Sequence, residues 1–304
     1  MLFRILGPVQ VGRSAEAGSS VRRALLTALL LRRGQPLAAA DLMEILWDEP
    51  PGSATANIRS HLTGLRRDLD RAVPGLSDRL RTYRGPASGY VLRAEAHEVD
   101  LTAFTGHARR GRRLLLRGES EAAVAELEAG TALWRGPLGH DLPPTRWFGA
   151  HAAGLDCARL DAHQDLFTAC VLAGHTELLA YRIESVIAEA PYRQRLWALL
   201  AAAHCVTGDA AGALAAVERC ASVFAEDLGL AVPPEVEAVR TAALTWDRDA
   251  ALRIVAAYPA HASARPTSAS ARPADLTVLP LGAAGAPSTA PGGNRVPSPQ
   301  PAVP

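Results

Sequence analysis

The sequence predicts a mainly α-helical protein with a small strand-bearing N-terminal domain and a longer all-helical second domain. Three observations carry this. Strand signals are confined to the first hundred of the 304 residues. From about Asp100 to Arg253, Ala/Leu/Glu/Arg segments of helical period follow one another, broken by short Gly or Pro interruptions. From about Tyr258 onward Ala, Pro, Ser, Gly and Thr dominate, a composition that cannot bury enough apolar surface to offset its ordering entropy. The expected divisions are 1–95, 100–254 and a disordered Ala/Pro/Ser-rich tail over 255–304.

Taken in order, Leu2 to Val11 reads as β structure with a turn at Gly7-Pro8. Val21 to Arg33 has helical spacing through Leu25, Leu26, Leu29 and Leu30, and Arg32-Arg33-Gly34 supplies a C-terminal charge and a stop. A second helix, Ala39 to Trp47, carries Leu42, Ile45 and Leu46 on one face. Asp48 to Ser53 is a loop, with Ser53 the expected N-cap of a third helix. That helix, Ala54 to Leu69, puts Ile58, Leu62, Leu65 and Leu69 on one stripe and Ala56, Ser60, Thr63 and Arg67 opposite. Leu80 to Leu92 then shows a short hairpin pattern with a Gly/Pro tip. Three helices and a hairpin behind a small sheet make a winged helix-turn-helix.

In the second domain, Gly118-Glu119, Gly174-His175 and Gly208-Asp209 read as tight turns of helical hairpins. The last two lie 34 residues apart, the tetratricopeptide period, while a long helix near Trp147 to Leu172 breaks the interval from Gly118. An irregular, tetratricopeptide-like helical solenoid is expected.

Charge is unevenly placed. All 32 basic residues are Arg, and the formal net charge is only +1. Yet Ala54 to Arg93 holds eight Arg against three acids, whereas Leu101 to Ile254 holds 15 against 19. A basic patch on a nearly neutral chain is the footprint of a nucleic-acid module. Cys157, Cys170, Cys205 and Cys220 form no CxxC pair and suit reduced thiols. Met1-Leu-Phe-Arg-Ile-Leu6 reads as a strand rather than a signal peptide, and no apolar run is long enough for a bilayer. A soluble cytoplasmic protein without a membrane partner is expected. His151, Asp156 and His163 fall at spacings that do not place ligands on adjacent helical turns, and no HExxH occurs. Neither enzyme chemistry, metal nor cofactor is expected.

The residue types on the third helix suit base reading. Asn57 and Arg59 lie near its start, and Ser60, Thr63 and Arg67 on its polar side. Arg forks onto guanine, Asn onto adenine, and hydroxyls bond bases or phosphates. In the wing, Arg81, Tyr83, Arg84 and Ser88 surround a tip suited to phosphates or a minor groove. A solvated surface helix and a plain hairpin, packed through Tyr90 and Leu92, are the competing readings of each piece taken alone. For the whole chain the alternative is a protein-binding scaffold with a weak DNA-binding domain.

Specific motifs narrow the choice. Arg22-Arg-Ala-Leu-Leu26, Leu42-Met-Glu-Ile-Leu-Trp47, His61-Leu-Thr-Gly-Leu-Arg-Arg67 and Gly89-Tyr-Val-Leu92 resemble the OmpR/PhoB-type winged helix. Ala132-Leu-Trp-Arg-Gly-Pro137, Asp141-Leu-Pro143, Arg195-Leu-Trp197 and Leu228-Gly-Leu230 with Pro233 resemble the bacterial transcriptional activation domain. Together they are similar to the Streptomyces antibiotic regulatory proteins, the AfsR/DnrI/RedD group. The resemblance implies an activator of a secondary-metabolite (antibiotic) gene cluster. It would bind direct repeats near promoters as a pair of protomers and help recruit RNA polymerase. It also implies polymerase contacts in the loop holding Asp48 and Glu49, which are otherwise solvated charges. Arg109, Arg110, Arg112, Arg113 and Arg117 form a basic cluster suited to polymerase, to phosphates, or simply to solvent. The chain departs from the family at Gly64, where Arg is common; mid-helix Gly costs roughly 1 kcal/mol relative to Ala and removes a candidate DNA contact. It also lacks a Gly-x4-Gly-Lys-Ser/Thr motif and a receiver domain.

Overall fold

The computed structural model of the chain describes residues 1–12, 18–83, 89–138 and 140–264. Arg84 and Ser88 of the hairpin tip, and the expected tail from residue 265 onward, lie outside the described residues.

The N-terminal domain opens with β1 (Phe3–Arg4) and β2 (Gln10–Val11), antiparallel with Phe3 opposite Val11. Three helices follow, α1 (Ser20–Leu31), α2 (Ala39–Leu46) and α3 (Ala54–Ala72). The wing is β3 (Leu80–Tyr83) against β4 (Gly89–Leu92), with Leu80 opposite Leu92. Tyr90 and Leu37 exchange backbone hydrogen bonds of 2.8 and 2.9 Å, which fastens the wing to the segment before α2. That approach needs glycine at position 89, where a Cβ would stand 2.5 Å from the Leu37 carbonyl oxygen. The leucines that set the helical period, Leu25, Leu29, Leu42, Leu62 and Leu65 among them, meet in one apolar core.

The second domain is all helical: α4 (Asp100–Leu116), α5 (Ser120–Thr131), α6 (Arg146–Ala173), α7 (Leu179–Glu189), α8 (Gln194–Val206), α9 (Ala210–Leu228), α10 (Pro234–Leu244) and α11 (Arg248–Ala264). Gly118, Gly174 and Gly208 take φ of +75°, +78° and +84°, left-handed turns that glycine makes without strain. α8 is the central rod, buried from Arg195 to Ala203. The buried Arg195 guanidinium is held by Glu235, by the Thr168 hydroxyl at 3.2 Å and by the Val255 carbonyl at 2.9 Å. A boundary at 254 therefore falls inside α11, because Val255 belongs to the core and the helix runs on to Ala264. All four cysteines are free; Cys157 is exposed and the other three are buried.

The two domains are clamped together. Asp100, at the start of α4, accepts backbone N–H bonds from Ile5, Leu6 and Leu101 at 2.8–3.0 Å. Burial pushes its pKa up even though those three donors and Arg135 pull it down. The loop before α6 grips the other side. Arg135 donates its backbone N–H to Leu6, Asp141 pairs with Arg23 at 2.9 Å, and the Thr145 hydroxyl donates to the Ile45 carbonyl. Phe148, Leu155 and Ala162 of α6 accordingly sit in the same core as the winged helix. Among the described residues no helix is long and apolar enough to cross a membrane.

Candidate nucleic-acid interface

α3 is held from behind by Ile58, Leu62, Leu65 and Leu69, each at most 1% exposed. Its other face is open: Ala56, Arg59, Ser60, Thr63 and Arg67 are exposed and Asn57 is half-buried. The stripe that predicted the helix thus separates anchor from working surface as the leucine spacing requires. Ser53 departs from expectation. Its side chain caps no backbone N–H; its hydroxyl instead accepts the Asn57 amide at 3.1 Å. This bond restrains Asn57 near the helix start. The Thr63 hydroxyl donates back to the Arg59 carbonyl at 3.0 Å.

The wing is tied to α3 by a residue that the periodicity did not single out. Arg66 reaches the Leu80 carbonyl at 3.2 Å and the Thr82 hydroxyl at 3.0 Å. Arg81 is exposed on β3, and Tyr83 accepts a hydrogen bond from Arg93 at 3.3 Å. Of the expected DNA-facing residues, the structure therefore brings Asn57, Arg59, Ser60, Thr63 and Arg67 onto one helix, with Arg81 on the adjoining strand.

Gly64 has a physical reason of its own. The Arg22 side chain crosses it from α1 to pair with Asp68 at 3.1 Å, and a Cβ on Gly64 would stand 2.9 Å from the guanidinium. The arginine that the family resemblance leads one to expect at 64 is absent, but a guanidinium lies over that position nonetheless. Between α1 and α3 runs an open groove of about 590 Å³, lined by Ser19, Arg22, Ser60, His61, Thr63 and Arg67. Partial burial, and secondarily the Arg22 charge, hold the His61 pKa below its ordinary value.

Other expected contacts are engaged within the chain. The Asp48 carboxylate accepts the Arg146 backbone N–H at 3.0 Å, at the start of α6, while Glu49 is exposed. In the α4 cluster, Arg110 pairs with Glu126, Arg117 lies 4.0 Å from Glu119, and Arg112 binds the buried Asp165. Burial raises Asp165 to about 6 despite that arginine. His151 and His163 each donate from Nδ1 to the carbonyl four residues earlier, so their rings are bound into α6 itself. Among the described residues no group of three or more side chains is arranged to hold a metal ion.

Comparison with known proteins agrees with this geometry. Residues 17–92 match the family described as transcriptional regulatory protein, C terminal, and residues 99–244 match the bacterial transcriptional activator domain. Fold and interface thus define a DNA-binding transcriptional regulator with an OmpR/PhoB-type winged helix and a helical activator domain. The chain is 29% identical over 241 residues to the transcriptional regulatory protein MoaR1 of Mycobacterium tuberculosis, covering 78% of this chain and 77% of that protein. It is 31% identical over 264 residues to the regulatory protein AfsR of Streptomyces griseus, covering 82% of this chain but only 25% of AfsR. Among solved structures it resembles Mycobacterium tuberculosis EmbR in complex with a low-affinity phosphopeptide, with TM-score 0.75, 28% identity, and coverage of 86% of this chain and 70% of that one. The chain belongs to the Streptomyces antibiotic regulatory protein family.

Proposed function

We propose that this regulator is an activator that seats α3 in the major groove of promoter DNA and presents its helical domain to RNA polymerase. The observation that carries this is the polar face of α3, exposed along its length, backed by leucine and flanked by a wing that Arg66 fastens in place. A helix with its side chains is about 10–12 Å across, matching a major groove about 12 Å wide. Asn57 and Arg59 then read base edges, and Ser60, Thr63, Arg67 and Arg81 position the duplex; Arg84 and Ser88 extend the wing contact. In this reading direct repeats are bound by a pair of protomers. Glu49, in the exposed loop between α2 and α3, is the polymerase contact, with Asp48 shaping that loop through α6. The regulated genes are those of a secondary-metabolite cluster, a reading supported by membership of the Streptomyces antibiotic regulatory protein family, and the protein works in the cytoplasm. The divisions are 1–95 for DNA binding and 100 onward for activation. The spacing of Gly174 and Gly208 supports a tetratricopeptide-like stack in the second domain.

The test is titration of promoter fragments from a candidate cluster at two salt concentrations. An activator shows a steep negative salt slope and a sequence preference, whereas a protein-binding scaffold shows neither. Arg67→Ala is expected to weaken binding on every sequence, and Asn57→Ala to relax discrimination at one base position. Equal effects of both on all sequences would contradict that division of labour.

A further inference from the structure

We propose that the groove between α1 and α3 is a phosphate clamp, in which Ser19, Arg22 and His61, with Arg67 beside them, hold a backbone phosphate of the DNA strand lying away from the wing. This rests on the reading of α3 as the groove-inserted helix.

The argument begins with the two flanks of α3. A helix that fills a major groove brings its sides against the two phosphate strands that wall it. On one flank Arg66 leads to β3 and the wing. The opposite flank holds Gly64 and His61 and faces the start of α1. There the missing side chain at 64 leaves room for Arg22, whose guanidinium is brought from another helix into the floor of the groove. Ser19 orients it, accepting Arg22 Nε at 3.3 Å. Asp68 holds its far end but is also shared with Arg71 at 3.0 Å, so one carboxylate faces two arginines. Arg67 adds a second guanidinium to the groove, whose lining carries two arginines and no carboxylate. Hydroxyls of Ser60 and Thr63 add further polar groups to the lining, and Arg22 stays accessible to solvent with 29% of its side chain exposed. Two guanidiniums with hydroxyls between them suit a phosphodiester, which arginine recognises by paired N–H bonds. Such a contact fixes the register of the helix on the duplex without reading sequence.

The experiment uses the full chain and a labelled GC-rich duplex of about 30 base pairs and arbitrary sequence, followed by anisotropy from about 50 to about 200 mM salt. Arg22→Gln removes the guanidinium. Ser19→Asp keeps a residue equally suited to begin a helix but places a carboxylate against Arg22 in the phosphate's position. Each variant is expected to make the slope of log affinity against log salt shallower by about 0.9, the contribution of one phosphate. The affinity deficit relative to wild type therefore shrinks about 3.5-fold between the two salt limits. Ser185→Ala, on the exposed face of α7, should keep the wild-type affinity and slope. Should Arg22→Gln fail to fold, Ser19→Asp decides. Wild-type affinity and slope in Ser19→Asp, in a chain that itself binds the duplex with a steep slope, overturn the clamp alone. A wild-type chain with no salt-dependent affinity overturns both the clamp and the DNA-binding reading beneath it.

Discussion

Asp100→Ala should be among the most damaging single substitutions in the chain, although it lies far from the exposed face of α3. The carboxylate is 1% exposed and satisfies three backbone N–H groups, those of Ile5, Leu6 and Leu101. Truncation leaves those donors without a partner, and a buried unmet donor costs roughly 1–3 kcal/mol. Three at the lower bound give about 3 kcal/mol; the upper bound overstates the loss. Burial already raises the Asp100 pKa against the pull of its donors, so the native charge is itself costly and its removal returns part of the penalty. A net loss of about 2–3 kcal/mol is therefore expected, a sizeable share of the roughly 5–15 kcal/mol that usually holds a domain folded. Asp100→Asn should recover part of the loss, since its remaining carbonyl oxygen can accept from Ile5 and Leu101 while its amide nitrogen turns N–H toward the Leu6 N–H. Urea unfolding followed by far-ultraviolet circular dichroism measures both losses. A decrease below about 1 kcal/mol for Asp100→Ala would show that water or backbone relaxation satisfies the donors, and the reasoning would fail.

Two further perturbations probe the interior of the second domain. Burial raises Asp165 from 3.8 to about 6, so folding favours its protonated form. The resulting stability is fully present below the unfolded value and is lost as pH rises through about 6, amounting to at most about 3 kcal/mol. Asp165→Asn should flatten that part of the urea-unfolding profile between about pH 4 and pH 7, and a profile identical to wild type would refute the assignment. Cys170 and Cys220 are pushed up to about 11 and Cys205 is also raised, all by burial, whereas Cys157 is exposed. Native maleimide labelling near neutral pH should therefore modify Cys157 alone, as read by intact mass and peptide mapping; rapid labelling of Cys170 would contradict the packing.

Local signals in the sequence were enough for α3, the wing strands and the left-handed turns at Gly118, Gly174 and Gly208. Leucine spacing fixes the buried stripe, and the residues left over fix the open face. Contacts between distant residues left no such trace. Arg22 reaches Asp68 only because α1 crosses α3 at Gly64, so Gly64 read alone signified a lost contact rather than space for another side chain. Ser53 has the composition of a cap, but Asn57 one turn later takes its hydroxyl. Asp48 and Asp100 find their partners 98 and 95 residues away, separations that no periodicity records. The Ala-rich segment after Ile254 shares its composition with the tail, yet Val255 is drawn into the core by the Arg195 network around its carbonyl.

The 28-residue α6 belongs to both halves of the molecule, with Phe148 and Leu155 packed under the winged helix and Leu166 and Phe167 in the helical core. At 1.5 Å per residue it is a strut about 42 Å long, and no flexible tether intervenes between its ends. Whatever bearing α3 takes on a duplex, the far helices are carried to one azimuth and one distance from it. On the activator reading proposed above, shifting a binding site by half a helical turn would swing that end to the opposite side of the DNA, so the distance from operator to polymerase site should matter in steps of a full turn.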